Sequence, residues 1–373
     1  MKRGHKVLVA LRDISAGEKY LSPLGVDIIQ APIWSGRLRK KVPPAINYAE
    51  LLMQVGYLNV DQVTGQIRSW LTLLDMVKPD LILGDHSPSV LLAARIAKVN
   101  AGTLGPGFAS PPVLPMMPSI QPNADFPDAR FISTEIELLN IINKALIRCG
   151  GESLRYLSQI FDTTHNYLLT YPETDHYGVR RGVRYWGLVQ SSRSADEPLW
   201  PTLEGPKVYV YMQPNARSYD RLLDSLKQLD WPCLIISRNI KQQQIESLTA
   251  PNLAFSPVLV NLESVARKAD IVVTNCNHGT VIELLQRGCK QLVIPLQTEQ
   301  SMLAHRLASQ GLVIAKGAGS PSYIKPLKEV LYNQILRANV DKFKNQYKKH
   351  NPESQLTLLA DDICRRIVNN LPT

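Results

Sequence analysis

A chain of 373 residues, 45% hydrophobic and 20% charged, is long enough for about two domains, each with its own core. No apolar run approaches the roughly 18 residues of a membrane span, and residues 6–11 are too short for the ~7–15-residue core of a secretory leader, so the expected location is cytoplasmic. Five scattered cysteines (Cys149, Cys233, Cys276, Cys289 and Cys364) without a CxxC pair argue against a zinc ribbon or a disulfide framework. The net charge of +10 is dispersed apart from residues 37–41 (RLRKK) and 342–349. No nucleic-acid partner is expected, and a weak attraction to an anionic membrane surface stays open.

Short apolar runs alternate with longer helix-like stretches, the pattern of a parallel α/β protein. In the first half, residues 6–11, 27–31, 81–83 and 167–170 read as strands, and 49–77 and 87–99 as helices. Residues 106–127 form a proline-rich loop that breaks the alternation, either a functional loop or a rigid connection with core anchors. The polar, proline-containing stretch 190–206 reads as a linker. The pattern restarts with strands at 207–212, 233–236, 270–273 and 291–294, and a terminal helix is expected over 356–371. The expected domains are therefore residues 1–190, a linker at 191–206, residues 207–350, and a C-terminal helix in 351–373.

The most informative segment is residues 269–300, ADIVVTNCNHGTVIELLQRGCKQLVIPLQTEQ. It reads as strand, turn, helix, strand and loop. A helix N-terminus behind a turn that contains glycine suits a diphosphate, because its first N–H groups are unpaired and its dipole is positive there. Glu283, one turn in, could accept hydrogen bonds from a ribose diol. Glu299 and Gln300 follow the next strand, at the carboxyl edge where α/β sheets bind ligands. The same residues admit a purely structural account. Thr280 and Glu283 have the spacing of a capping box, His278 could be a turn residue, and Glu299 and Gln300 surface polars.

This segment resembles the donor-binding region of family 1 UDP-glycosyltransferases and their bacterial relatives, in which a His-Gly-Gly-x-Gly-Thr turn precedes a glutamate and a later Asp/Glu-Gln pair. Residues 78–88 (KPDLILGDHSP), 104–112 (LGPGFASPP) and 171–187 (YPETDHYGVRRGVRYWG) look like bacterial members of the same group. The resemblance implies a GT-B fold, two Rossmann-like doubly wound domains facing a cleft, with the acceptor in the first and a nucleotide-diphospho-sugar, a UDP-sugar by family habit, in the second. It implies that His278, Gly279 and Thr280 contact the diphosphate, that Glu283 holds ribose, and that Glu299 and Gln300 hold the sugar. Val258, in the base-binding loop, would contact the base through its backbone. Asn275 stands where the family has its diphosphate-binding histidine, and Cys276 and Asn277 replace its glycines. Asparagine can donate a hydrogen bond but carries no charge.

The resemblance also implies an inverting reaction with no catalytic metal and no further cofactor, and the chain has no Asp-x-Asp. Asp85 matches the aspartate that orients the family's catalytic histidine; the alternative is that it caps the helix after it. That histidine has no match. His5 falls at the junction between the family's first helix and second strand, so the first strand, its glycine-rich loop and most of the first helix are expected to be missing. His86 is a weaker substitute base. Two other readings stay open: a catalytically impaired nucleotide-sugar-binding relative, and a GT-B nucleotide-sugar 2-epimerase.

Overall fold

The computed structural model describes all residues except 1–2, 35, 37–43, 122–127, 190–195, 215–216, 237–241 and 370–373. The basic run at 37–41 and the start of the expected linker lie outside the described residues. The chain divides into two compact units. The first comprises Met1–Gly102, Pro112–Pro118 and Asp125–His165, and the second Thr103–Pro111, Ser119–Ala124 and Asn166–Thr373. Residues 166–190 and the C-terminal helix thus group with the second unit, ahead of the boundary expected near 190.

The first half of the chain runs β1 (Leu8–Leu11), α1 (Ile14–Tyr20), β2 (Asp27–Gln30), α2 (Tyr48–Gln54), α3 (Val60–Val77), β3 (Ile82–Gly84), α4 (Pro88–Ala97), β4 (Ala101–Gly105), α5 (Asp128–Arg148) and β5 (His165–Leu168). The single helix expected over 49–77 is broken in two. Gly56 at φ 105° interrupts it, and the Asn59 side chain accepts from the Gln62 N–H to start α3. Strand β4 was absent from the sequence reading because Ala-Gly-Thr-Leu-Gly lacks β-branched density. Pro88 opens α4, where a missing N–H costs nothing. The first core joins α2, α3, α4 and α5 through residues such as Tyr48, Ile67, Trp70, Leu92, Leu138 and Ile142.

The strands of this half do not form one sheet. β1 and β2 pair in parallel, and β3, β4 and β5 make a separate group in that order. Among the described residues no strand joins the two groups. Not one residue of β1 or β2 is fully buried.

The second half runs β6 (Val208–Tyr211), α6 (Arg217–Leu229), β7 (Cys233–Ile236), α7 (Gln242–Leu248), β8 (Leu253–Ser256), α8 (Leu262–Lys268), β9 (Ile271–Thr274), α9 (His278–Gln286), β10 (Gln291–Val293), α10 (Thr298–Ser309), β11 (Ile314–Ala315), α11 (Ile324–Tyr332), α12 (Gln334–Tyr347) and α13 (Pro352–Asn369). All six strands are parallel, in the order β11-β10-β9-β6-β7-β8. Strands β7, β9 and β10 are buried throughout, as their Val/Ile/Leu-rich sequences require when helices cover both faces. The order reverses between β6 and β9, which pair from Val208↔Ile271 to Tyr211↔Thr274. That topological switch point is where open α/β sheets bind ligands. No helix among the described residues is long and apolar enough to cross a membrane.

Candidate functional site

The turn after β9 opens at this switch point. Asn275 is 1% exposed, and its amide oxygen and one amide N–H are bonded inside the sheet. Its Oδ1 accepts from the Gln213 N–H after β6 at 2.7 Å, and its Nδ2 donates to the Ile294 carbonyl after β10 at 2.9 Å. Asn275 therefore ties three strand ends together and presents no side-chain group to a phosphate. Cys276 adopts φ 64° and is buried, which pushes its thiol up. The unusual backbone there turns the chain into α9.

Helix α9 starts at His278, so Thr280, which the capping-box spacing would place at its N-cap, lies inside it. Its N-cap is Asn277, which makes no side-chain capping bond to the helix. The Asn277 Oδ1 instead accepts from Gln300 Nε2 at 2.8 Å, while Gln300 Oε1 accepts from the Leu296 N–H at 2.8 Å. The capping-box reading of Thr280 and Glu283 is thereby corrected, because Thr280 lies inside the first turn. Glu283 sits farther along α9 and pairs with Arg287 at 3.2 Å. The first turn of α9 thus ends in N–H groups with no side-chain cap, next to exposed Gly279. A Cβ built on Gly279 meets no heavy atom within 4 Å, so protein packing does not require the glycine.

His278 is placed differently from what the resemblance implied. Its Nε2 lies 2.8 Å from Thr170 Oγ1, and its ring stacks on His176 with centroids 5.6 Å apart and an interplanar angle of 22°. Burial, then the neighbouring His176, drives its pKa well below the ordinary histidine value. It is a neutral ring packed under the 170–176 segment, so only its backbone N–H is offered at the helix tip. His176 is held at about 4 by burial. Its Nε2 stands 3.9 Å from Glu299 Oε1. Glu299, in the first turn of α10, keeps 36% of its side chain exposed. Gln300 is 3% exposed and serves as the brace between α10 and the Asn277 turn. Val258 follows β8, is 47% exposed, and its carbonyl accepts from Ser256 Oγ at 2.8 Å.

Sequence reasoning missed Thr170, His176, Gln213 and Asn277 as partners of this region. Gln213 and Asn277 were findable in principle, since they follow the two strands that flank the switch point. Thr170 and His176 carry no local signal, because their partners lie 108 and 123 positions or so away in the chain.

In the first unit, Asp85 and His86 follow β3. Desolvation raises the Asp85 carboxyl, and the neighbouring His86 partly offsets this. His86 adopts φ 49°, and its ring lies 6.1 Å from that of Tyr48. The capping role for Asp85 is corrected too, since the N-cap of α4 is Ser87, with no side-chain cap bond.

No protein-family model matches the chain, and no curated protein matches it in sequence. Solved structures do match over nearly its whole length. The calicheamicin glycosyltransferase CalG4 superposes with a TM-score of 0.71 at 15% identity, covering 100% of this chain and 93% of that one. The glycotransferase of kitacinnamycin gives 0.67 at 14% identity, with 100% and 93% covered. The glycosyltransferase VinC, solved in complex with dTDP, gives 0.65 at 12% identity, with 99% and 94% covered. The chain therefore has the α/β architecture of the GT-B glycosyltransferases.

Proposed function

We propose that this protein is a glycosyltransferase that moves a sugar from a nucleotide-diphospho-sugar to an acceptor hydroxyl, with inversion and without a metal. The observation that carries the reading is the uncapped first turn of α9 at the β6/β9 switch point. The N–H groups of His278, Gly279 and Thr280 and the positive helix end suit the diphosphate, the group on which charge develops as it leaves. Glu283 would take the ribose hydroxyls, Val258 the base through its backbone, and Glu299 the sugar hydroxyls, with Gln300 fixing the loop that presents them. Asn275 drops out of direct contact. The nucleotide of VinC, dTDP, shares the diphosphate that this site suits, whether the donor here carries uridine or thymidine.

In the transfer, the acceptor oxygen bonds to the anomeric carbon as the bond to the diphosphate breaks, and a base takes the hydroxyl proton. Asp85 in the first unit would orient that base, with His86 the histidine beside it in sequence.

A second reading, a relative that binds nucleotide with impaired turnover, is favoured by the internal use of Asn275 and by the two strand groups of the first half of the chain, which no strand joins among the described residues. Incubation with UDP- and dTDP-sugars and a panel of phenolic, lipid and sugar acceptors decides between them. Acceptor-dependent release of nucleoside diphosphate in the presence of EDTA supports transfer. Nucleotide binding with no release under any combination selects the second reading.

A further inference from the structure

Farther along α10, away from Glu299 and Gln300, lies a separate cleft of about 220 Å³, bordered by Arg306, His305, His176, Ser119, Ser309 and Gly178 among others. Arg306 is seven residues beyond Glu299, so it stands roughly 10.5 Å down the helix from the proposed sugar-binding position. The cleft is cationic. Arg306 Nε is buried and hydrogen-bonded to nothing among the described residues, and no carboxylate lines the cleft. His176, 6% exposed, places in this wall a ring whose two nitrogens also make no hydrogen bond of normal geometry. The Glu299 carboxylate stands 3.9 Å from its Nε2. Asp175, behind it, is already neutralised by a two-pronged pairing with Arg180 at 2.8 and 3.1 Å.

Burying a guanidinium nitrogen without an acceptor is costly, and the native solution is a paired anion. The fork of an arginine matches two oxygens of a carboxylate or phosphate. Gly178, at φ 86°, lies beside it. A Cβ there would stand 4.0 Å from the guanidinium carbon. Ser119 and Ser309 also line the cleft, their hydroxyls donating to the Gln121 and Arg306 carbonyls at 3.2 and 2.9 Å, and His305 brings a ring to the exposed rim.

We infer that this cleft is a binding site for a small oxyanion, the phosphate or carboxylate group of a small molecule, with Arg306 as its anchor. The cleft adjoins the α9 tip through His176, which stacks on His278, but the inference rests on Arg306 and does not depend on the nucleotide reading. The test is calorimetric titration of the full chain with inorganic phosphate and, separately, with benzoate, which tells a tetrahedral from a planar oxyanion. Saturable binding of either, weakened at least tenfold in Arg306→Gln and less in Arg306→Lys, supports the site. Ser309→Asp, on the exposed rim, should abolish the binding by like-charge repulsion and serves if Arg306→Gln does not fold. Absence of saturable binding by both ions overturns the inference. So does binding that survives Arg306→Gln or Ser309→Asp, or that falls only with Gly279→Ala at the α9 tip.

Discussion

Gly279 stands in the first turn of α9 with open space where a Cβ would be, so Gly279→Ala removes no packing and introduces no clash within the protein. Alanine also reduces the freedom of the unfolded chain, which stabilises by about 0.4–1 kcal/mol where the backbone is compatible. For a unit of this size that raises Tm by about 1–4 °C. A diphosphate resting on the first N–H groups of α9 would meet the new methyl group. Losing one charge-assisted hydrogen bond costs about 1.5–3 kcal/mol, a ten- to hundredfold weakening. The substitution is therefore expected to raise thermal stability and lower nucleotide affinity in the same protein. Differential scanning calorimetry gives the first quantity and isothermal titration with UDP or dTDP the second. Unchanged affinity alongside a raised Tm would refute the placement of the diphosphate on this turn.

The remaining predictions concern other parts of the same account. Glu283→Ala should lower nucleotide affinity and cost stability at least the roughly 0.2–0.5 kcal/mol of its helical pairing with Arg287; a urea melt beside a titration measures both, and unchanged affinity removes Glu283 from the ribose. The folded-state pKa of His176 is about 4, below the 6.5 of the unfolded chain, so the unfolded state binds the extra proton first. Stability should then be full above about pH 6.5 and fall as pH drops toward 4, and His176→Gln should flatten that slope in urea melts run across the window. Asp85→Asn should slow transfer with nucleotide affinity intact, measured by donor consumption and titration on one preparation. Amide exchange should be faster in β1 and β2, which have no fully buried residue, than in β7 and β9, which are buried throughout; equal protection would show that the first strands are held more firmly than their burial indicates.

The second sheet was legible because its strands are continuous apolar runs that only a two-sided burial explains. Residues 233–236 form β7 as read, β6 and β9 differ from the reading by one residue at each end, and β10 by one residue at its C-terminal end. β8 and β11 escaped because Leu253–Ser256 has no β-branched residue and Ile314–Ala315 is two residues long. At the candidate site, the sequence located the turn and the helix behind it but not the directions of the side chains. Asn275, His278 and Gln300 have the residue types of a phosphate and sugar site, and each is engaged instead by a partner distant in sequence. Asn275 bonds to Gln213 and Ile294, His278 to Thr170, and Gln300 to Asn277. Such pairings follow from strand order, which a single sequence does not encode locally. Gly279 is exposed in the first turn of α9, and Glu299, in the first turn of α10, keeps part of its side chain exposed beside His176.

The central claim is that the uncapped tip of α9 receives the diphosphate of a nucleotide-sugar donor. Calorimetric titration of the full chain with UDP and with dTDP, in EDTA, tests it most directly. Saturable binding at one nucleotide per chain, lost for the corresponding nucleosides that lack the diphosphate, is the predicted result. No saturable heat with any nucleoside diphosphate, or equal affinity for nucleoside and nucleoside diphosphate, would contradict it.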